Sequence, residues 1–280
     1  MANIDIRPSP IAGTWYSGHP DELREEVRGY INQAEVPELP GEVAAIMAPH
    51  AGYVYSGPTA GYAFRCVLGQ SYDLVAVISP FHQFQRYPLL TSAHEAYETP
   101  LGVVPIDIEA LESLSDYLGE ATDMPLMSLS KDPEHSLEIE LPFLQVALEG
   151  DFKLVPVMLS GVDLGTGKAL GAGLAEILKG RKALLVASTD LSHFHAEEAA
   201  KRLDEEMLKQ VAALSPEGMA AAMQCGKGEA CGIMAVIAVM EAAKALGATR
   251  AEVLHHSTSG KSSGDYGRVV GYGAAVFLKG

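Results

Sequence analysis

VAAIMAPHAGYVYSG, residues 43–57, is the stretch on which the fold turns. Residues 43–47 are apolar without alternation, so they read as a strand buried on both faces. The run stops at Pro49, and His50 follows at once, ahead of two glycines and two tyrosines. Three more near-continuous apolar runs occur at 74–79, 152–159 and 183–187. Helical patterns lie between and around them, at 20–33, 58–68, 108–118, 137–148, 165–178, 196–214 and 230–246. Two further strands are expected at 251–256 and 268–278, and 91–104 reads as a hairpin-like excursion. Alternating strands and helices predict a three-layer α/β fold around a central mixed, mostly parallel sheet. No linker or internal repeat divides the chain, so one domain is expected over 1–280.

The composition narrows the function. A chain of 280 residues buries a large core. A formal net charge of −16 argues against nucleic acid or an anionic membrane as partner. Three cysteines, Cys66, Cys225 and Cys231, do not make a disulfide framework, and a reducing compartment is expected. The opening MANIDIRPSPIAG has neither a basic region nor an apolar core of a leader, and the longest apolar run is far too short to span a bilayer. The expected location is therefore cytoplasmic.

Three strand candidates end in histidine: Pro49-His50, Pro80-Phe81-His82, and STDLSH ending at His193. Ligands of open α/β sheets bind outside the carboxyl ends of strands, so histidines repeated at that edge point to one shared site. His135 precedes a helical pattern in which Ser136 is the expected N-cap and Leu137, Leu141 and Leu144 share a face. The acidic residues around them read as an early-helix solvated set. Cys231 opens the last apolar helix, where the helix N-terminus favours thiolate. Cys66 reads as core packing, and Cys225 has no supporting context. Imidazoles with one thiolate suit a mid-row transition metal, although no CxxC or HExxH motif is present. GKSSG at 260–264 matches a nucleophile elbow, but Asp265-Tyr266-Gly267 and a strand follow where that motif needs a helix, and GVDLGTGKA at 161–169 is out of register for a P-loop and has Ala169 where it needs Ser or Thr.

PHAGYVYSG at 49–57, SPFH at 79–82, EHSLEIELPFL at 134–144, STDLSHF at 188–194 and CGI at 231–233 resemble the Memo-like family. RPSPIAGTWY at 7–16 and VVGYGAAVFL at 269–278 extend the resemblance over nearly the whole chain. In bacteria and archaea such proteins are called AmmeMemoRadiSam system protein B, after AMMECR-type and radical-SAM partners. The resemblance implies a fold similar to the catalytic subunit of class III extradiol dioxygenases. It implies metal ligation by His50, His82 and Cys231, where the dioxygenases carry glutamate in place of the cysteine. It places His193 near an acid/base histidine, His135 at a further pocket position and Asp190 along the site. The implied metal is Fe(II), with Cu(I) or zinc as alternatives.

The expected function is a metal-dependent redox enzyme acting on a small molecule. In it, His193 transfers protons, Asp190 orients a histidine or the substrate, and Tyr53 and Tyr55 line the mouth. Two other classes use the same residues: a protein that binds copper, iron or a peptide without turnover, and a zinc-assisted hydrolase.

Overall fold

The computed structural model describes residues 4–280, so the first three residues of the expected 1–280 domain lie outside the described residues. In chain order the elements begin with β1 (Ile6–Arg7), α1 (Pro20–Gln33), β2 (Glu42–Ala48), α2 (Tyr53–Arg65) and β3 (Leu74–Pro80). Three short strands follow, β4 (Leu89–Ser92), β5 (Ala96–Thr99) and β6 (Gly102–Pro105), then α3 (Ile108–Thr122) and β7 (Met127–Leu129). A 3-10 turn at Glu138–Glu140 leads into α4 (Leu141–Ala147), β8 (Lys153–Leu159), α5 (Leu164–Leu178), β9 (Ala183–Ser188) and β10 (His193–His195). The chain closes with α6 (Glu197–Ala212), α7 (Pro216–Gln224), α8 (Ile233–Ala245), β11 (Ala248–Thr258), the one-turn α9 (Gly260–Ser263) and β12 (Val269–Lys279).

The large sheet runs β10-β12-β2-β9-β3-β8-β4-β7, with β11 also paired to β12. Its centre, β2-β9-β3-β8, is parallel. The flanks are antiparallel where β12 meets β2 and β4 meets β8, so the sheet is mixed as expected. The apolar runs are buried on both faces because helices cover both. α1, α2 and α4 pack on one side, and α3, α5 and α8 on the other. A small second sheet joins the β5–β6 hairpin to β1, which gives the excursion expected at 91–104 a defined place. Among the described residues no helix is long and apolar enough to cross a membrane.

Three boundaries differ from expectation. α2 begins at Tyr53, not 58, and carries Pro58 inside it. The proline leaves the Val54 carbonyl without its helical partner, beside an exposed side chain where water reaches it. Gly61 on the same helix lets α1 and α2 touch, because a Cβ there would lie 2.4 Å from the Tyr30 carbonyl oxygen. The pattern at 196–214 ends at α6: Leu214 turns left-handed at φ 50°, and Ser215 caps α7 by accepting from the Gly218 N–H. At 137–148 the chain makes a 3-10 turn before α4, and Ser136 is no cap. Its hydroxyl donates to the Pro80 carbonyl at 2.7 Å, while the Glu134 carboxylate takes the N–H groups of His135 and Ser136. The acidic residues there are not a solvated set: Glu134, Glu138 and Glu140 are all buried.

Candidate metal centre

Because β2, β9 and β3 are parallel neighbours, their carboxyl ends share one edge. β2 delivers His50 there, β3 delivers His82, and β9 delivers Ser188 and Asp190. The loop ahead of the Glu138–Glu140 turn sets His135 against them. One donor atom each from His50, His82 and His135 falls within 4.8 Å of the others. The His50 ring centroid is 5.3 Å from that of His82 and 5.6 Å from that of His135, and the His82 and His135 rings stack at 4.7 Å.

Each ring has its second nitrogen occupied. His82 Nδ1 is 2.9 Å from Glu134 Oε1, and the His82 N–H donates to Glu134 Oε2 at 2.6 Å. His135 Nδ1 is 3.2 Å from the same Oε1. Burial disfavours the charge on Glu134, but the His82 side chain and the backbone N–H groups of His82 and Ser136 outweigh it and hold the carboxyl well below its usual range. Burial also opposes charge on His82, yet its bond to Glu134 wins and its pKa rises. His135 goes the other way: burial, with His82 adding, brings it down to about 4 against the pull of Glu134.

His50 is anchored differently. Its Nδ1 is 2.9 Å from Ser188 Oγ, and Ser188 Oγ lies 2.7 Å from Glu140 Oε1. Glu140 Oε2 is buried without a partner. Burial pushes the Glu140 carboxyl far above its usual range, the Asp190 charge adds to this, and the Ser188 hydrogen bond opposes it only in part. Burial and the neighbouring histidines keep His50 neutral. Its Nε2 faces Cys231 Sγ at 3.1 Å. The thiol is not the low-pKa group expected of a helix start. Burial, with the charge of Asp190, pushes it up against the backbone N–H groups around it.

Asp190 sits behind His50, its Oδ1 accepting the His50 N–H at 2.8 Å. Burial raises it to about 7, although N–H groups of His50 and Ala51 pull downward. His193 stands at the start of β10, close enough for its charge to count against His50. Its N–H donates to Glu229 Oε1 at 3.0 Å, and burial lowers its pKa. Tyr55 lines the cleft beside the site, but Tyr53 does not: it is 2% exposed and donates its hydroxyl to the Ile139 carbonyl at 2.8 Å. The reason is helical phase. Two positions in the first turn of α2 point about 200° apart. Cys66 is buried at the end of α2, where burial raises its thiol to about 12, and Cys225 is exposed.

Four residues beyond those expected from sequence build the site. Glu134 and Ser188 orient the imidazoles, Trp15 packs against His135 with ring centroids 4.1 Å apart and planes tilted by 34°, and Arg7 supports the loop from behind. Arg7 is buried, gives Nη2 to the Glu134 carbonyl at 2.7 Å, and pairs with Asp132 at 2.7 Å and with Glu138. Tyr97 donates to the same Asp132 and lies under the guanidinium. Adjacency to His135 was the one available signal for Glu134.

The donor set fits a divalent transition ion. Three neutral-capable imidazoles present one nitrogen each, oxygens engage the others, and a soft sulfur lies alongside.

The Memo-like protein family matches residues 7–276. A MEMO1 family protein of Nitrosopumilus maritimus is 33% identical over 280 residues, covering 98% of this chain and 100% of its own. Those of Methanopyrus kandleri and Aquifex aeolicus are also 33% identical, each covering 98% of this chain and 99% of its own. Among solved structures, an uncharacterized protein from Escherichia coli K12 superposes with a TM-score of 0.51 at 15% identity, over 84% of this chain and 100% of that one. That likeness concerns the fold alone.

Proposed function

The chain belongs to the Memo-like protein family, and from that membership and the geometry we propose that it binds one transition metal, Fe(II) first, for redox chemistry on a small molecule. His50 and His82 hold the ion, with His135 and the Cys231 thiol as the other donors. One observation carries this reading: three histidines from separate segments meet with donor atoms within 4.8 Å. The bound ion supplies a Lewis acid and a one-electron couple. The rest of the chemistry belongs to the chain. Asp190 fixes the main chain of His50. His193, tethered to Glu229 and neutral near pH 7, takes a proton from the substrate or returns one. AMMECR-type and radical-SAM partners in the cytoplasm rest on the family association alone.

A second reading, Cu(I) binding without turnover, draws on the thiol 3.1 Å from the His50 imidazole. Anaerobic titration of Fe(II), Cu(I) and Zn(II) into wild type and the alanine variants of His50, His82, His135 and Cys231 tests both. Near-stoichiometric Fe(II) binding, lost in the histidine variants, is expected. Cu(I) retention dependent on Cys231 with no Fe(II) uptake favours the second reading. Zinc retention with ester or amide hydrolysis replaces the redox assignment by a hydrolase. No uptake of any ion by wild type ends the proposal. His193→Ala should keep its metal and lose about 10²–10⁴-fold in turnover.

A further inference from the structure

Ser188 ends β9 and is fully buried. Its Oγ has three close partners: the Ser136 carbonyl oxygen at 2.6 Å, Glu140 Oε1 at 2.7 Å and His50 Nδ1 at 2.9 Å. Each distance is that of a full hydrogen bond, so each of the three lines holds a proton. A hydroxyl has one proton to give and two lone pairs to receive. The Ser136 carbonyl can only accept, so the Ser188 proton goes to it. The other two partners must bring protons of their own. A carboxylate facing the same oxygen at 2.7 Å with no proton between them would be repelled, whereas a carboxylic acid is held there. A neutral imidazole that donates from Nδ1 has its Nε2 bare.

We infer that Ser188 is a positioning residue that places the protons on both neighbours: Glu140 is a neutral acid donating from Oε1, and His50 is the Nδ1–H tautomer. The other oxygen of Glu140 agrees with this, being buried without a partner. A neutral carboxyl leaves only a carbonyl oxygen unpaired there, whereas an ionised one would leave charge. Burial acts on both groups in the same sense, raising Glu140 and keeping His50 uncharged. With Nδ1 committed to Ser188, the bare Nε2 faces Cys231 Sγ at 3.1 Å. That lone pair is open to the thiol hydrogen, and to a metal ion in its place, without any change of tautomer. The inference rests on the proposed metal site only for what Nε2 receives.

Two spectra of the metal-free protein at neutral pH test this. In ring-nitrogen NMR of isotope-labelled histidine, the His50 signals are those absent from His50→Ala, and they should show the Nδ1–H tautomer. The infrared difference between wild type and Glu140→Gln should show a carboxylic C=O band that the variant has lost. Glu140→Gln should leave the His50 tautomer unchanged, because an amide N–H donates to Ser188 as the acid does. Ser188→Ala should move His50 toward Nε2–H and lower Fe(II) affinity, read by chelator competition under nitrogen, about 10–100-fold. An Nε2–H tautomer in wild type, or no carboxylic band lost in Glu140→Gln, overturns the inference. So does a folded Ser188→Ala protein that keeps the wild-type tautomer; if that variant fails to fold, the first two spectra decide. Both expected signals in a protein that takes up no ion overturn the metal proposal and leave the proton placement standing. Metal uptake by a protein whose His50 is Nε2–H does the reverse.

Discussion

His50 and His82 leave strands that flank β9, yet their imidazoles are set by opposite electrostatic means. His82 leans on Glu134, a carboxylate kept ionised by the backbone N–H groups of His82, His135 and Ser136. His50 leans on Ser188, which rests on Glu140, a carboxyl whose pKa burial pushes far above its usual range. Both glutamates are almost wholly buried and six residues apart. The difference lies in what surrounds them. Glu134 sits in a nest of amides with a guanidinium bonded to its own carbonyl, and Glu140 has one hydroxyl and one bare oxygen. A buried carboxylate stays charged only where enough donors replace the water it has lost.

The comparison breaks most visibly at Arg7. Arg7→Met leaves Asp132 and Glu138 buried without their cation, and should lower unfolding stability by about 3–5 kcal/mol. Urea denaturation measures it, and a loss below about 1 kcal/mol would show that the Glu134 arm stands without the guanidinium. Next, Glu134→Gln places an amide where three N–H groups need acceptors and removes the anchor of His82. Metal affinity, measured by chelator competition, should fall about 10–100-fold.

The two arms should also differ with pH. The Glu140 pKa is raised on folding, so the folded protein keeps a proton that the unfolded chain releases above about 4.5. Its contribution is whole below that pH and declines as pH rises toward the folded value, by at most about 1.4 kcal/mol per pH unit. Asp190 acts with the same sign, but only up to about 7. As pH rises above about 4.5, the urea midpoint of metal-free wild type should therefore fall relative to that of Glu140→Gln; parallel curves would show that folding does not raise the Glu140 pKa. The smallest effect is the sharpest contrast. Because an amide mimics a protonated acid, Glu140→Gln should hold metal affinity within about threefold (~0.6 kcal/mol), while Glu134→Gln loses it.

The strands and the strand-end histidines were legible because apolar runs without alternation and polar residues at their ends are local signals. Asp190, which lies just past the end of β9, was set along the site by the family resemblance and not by a local signal. The glutamates were not legible. Glu134, Glu138 and Glu140 look like the exposed acids of any helix start, and what buries them comes from elsewhere. Arg7 lies 127 residues before Glu134, and Ser188 lies 48 after Glu140. Tyr53 was misplaced for a local reason: a helix start five residues earlier rotates one tyrosine inward and leaves the other at the cleft. The thiol of Cys231 was misjudged because desolvation at a crowded edge outweighs the helix end.

The bond from Arg7 to Glu138 spans 131 residues. On a ribosome adding about 5–20 residues per second, the guanidinium is made roughly 7–26 s before its carboxylate. During that interval the N-terminal segment has no counter-charge to dock against. The loop that carries His135 therefore matures late in synthesis. The same early segment supplies Trp15, which packs against His135 in the finished site. A nascent chain held by a chaperone at that stage would have its sheet strands β2 and β3 already synthesised and the strand edge that carries His50 and His82 still open.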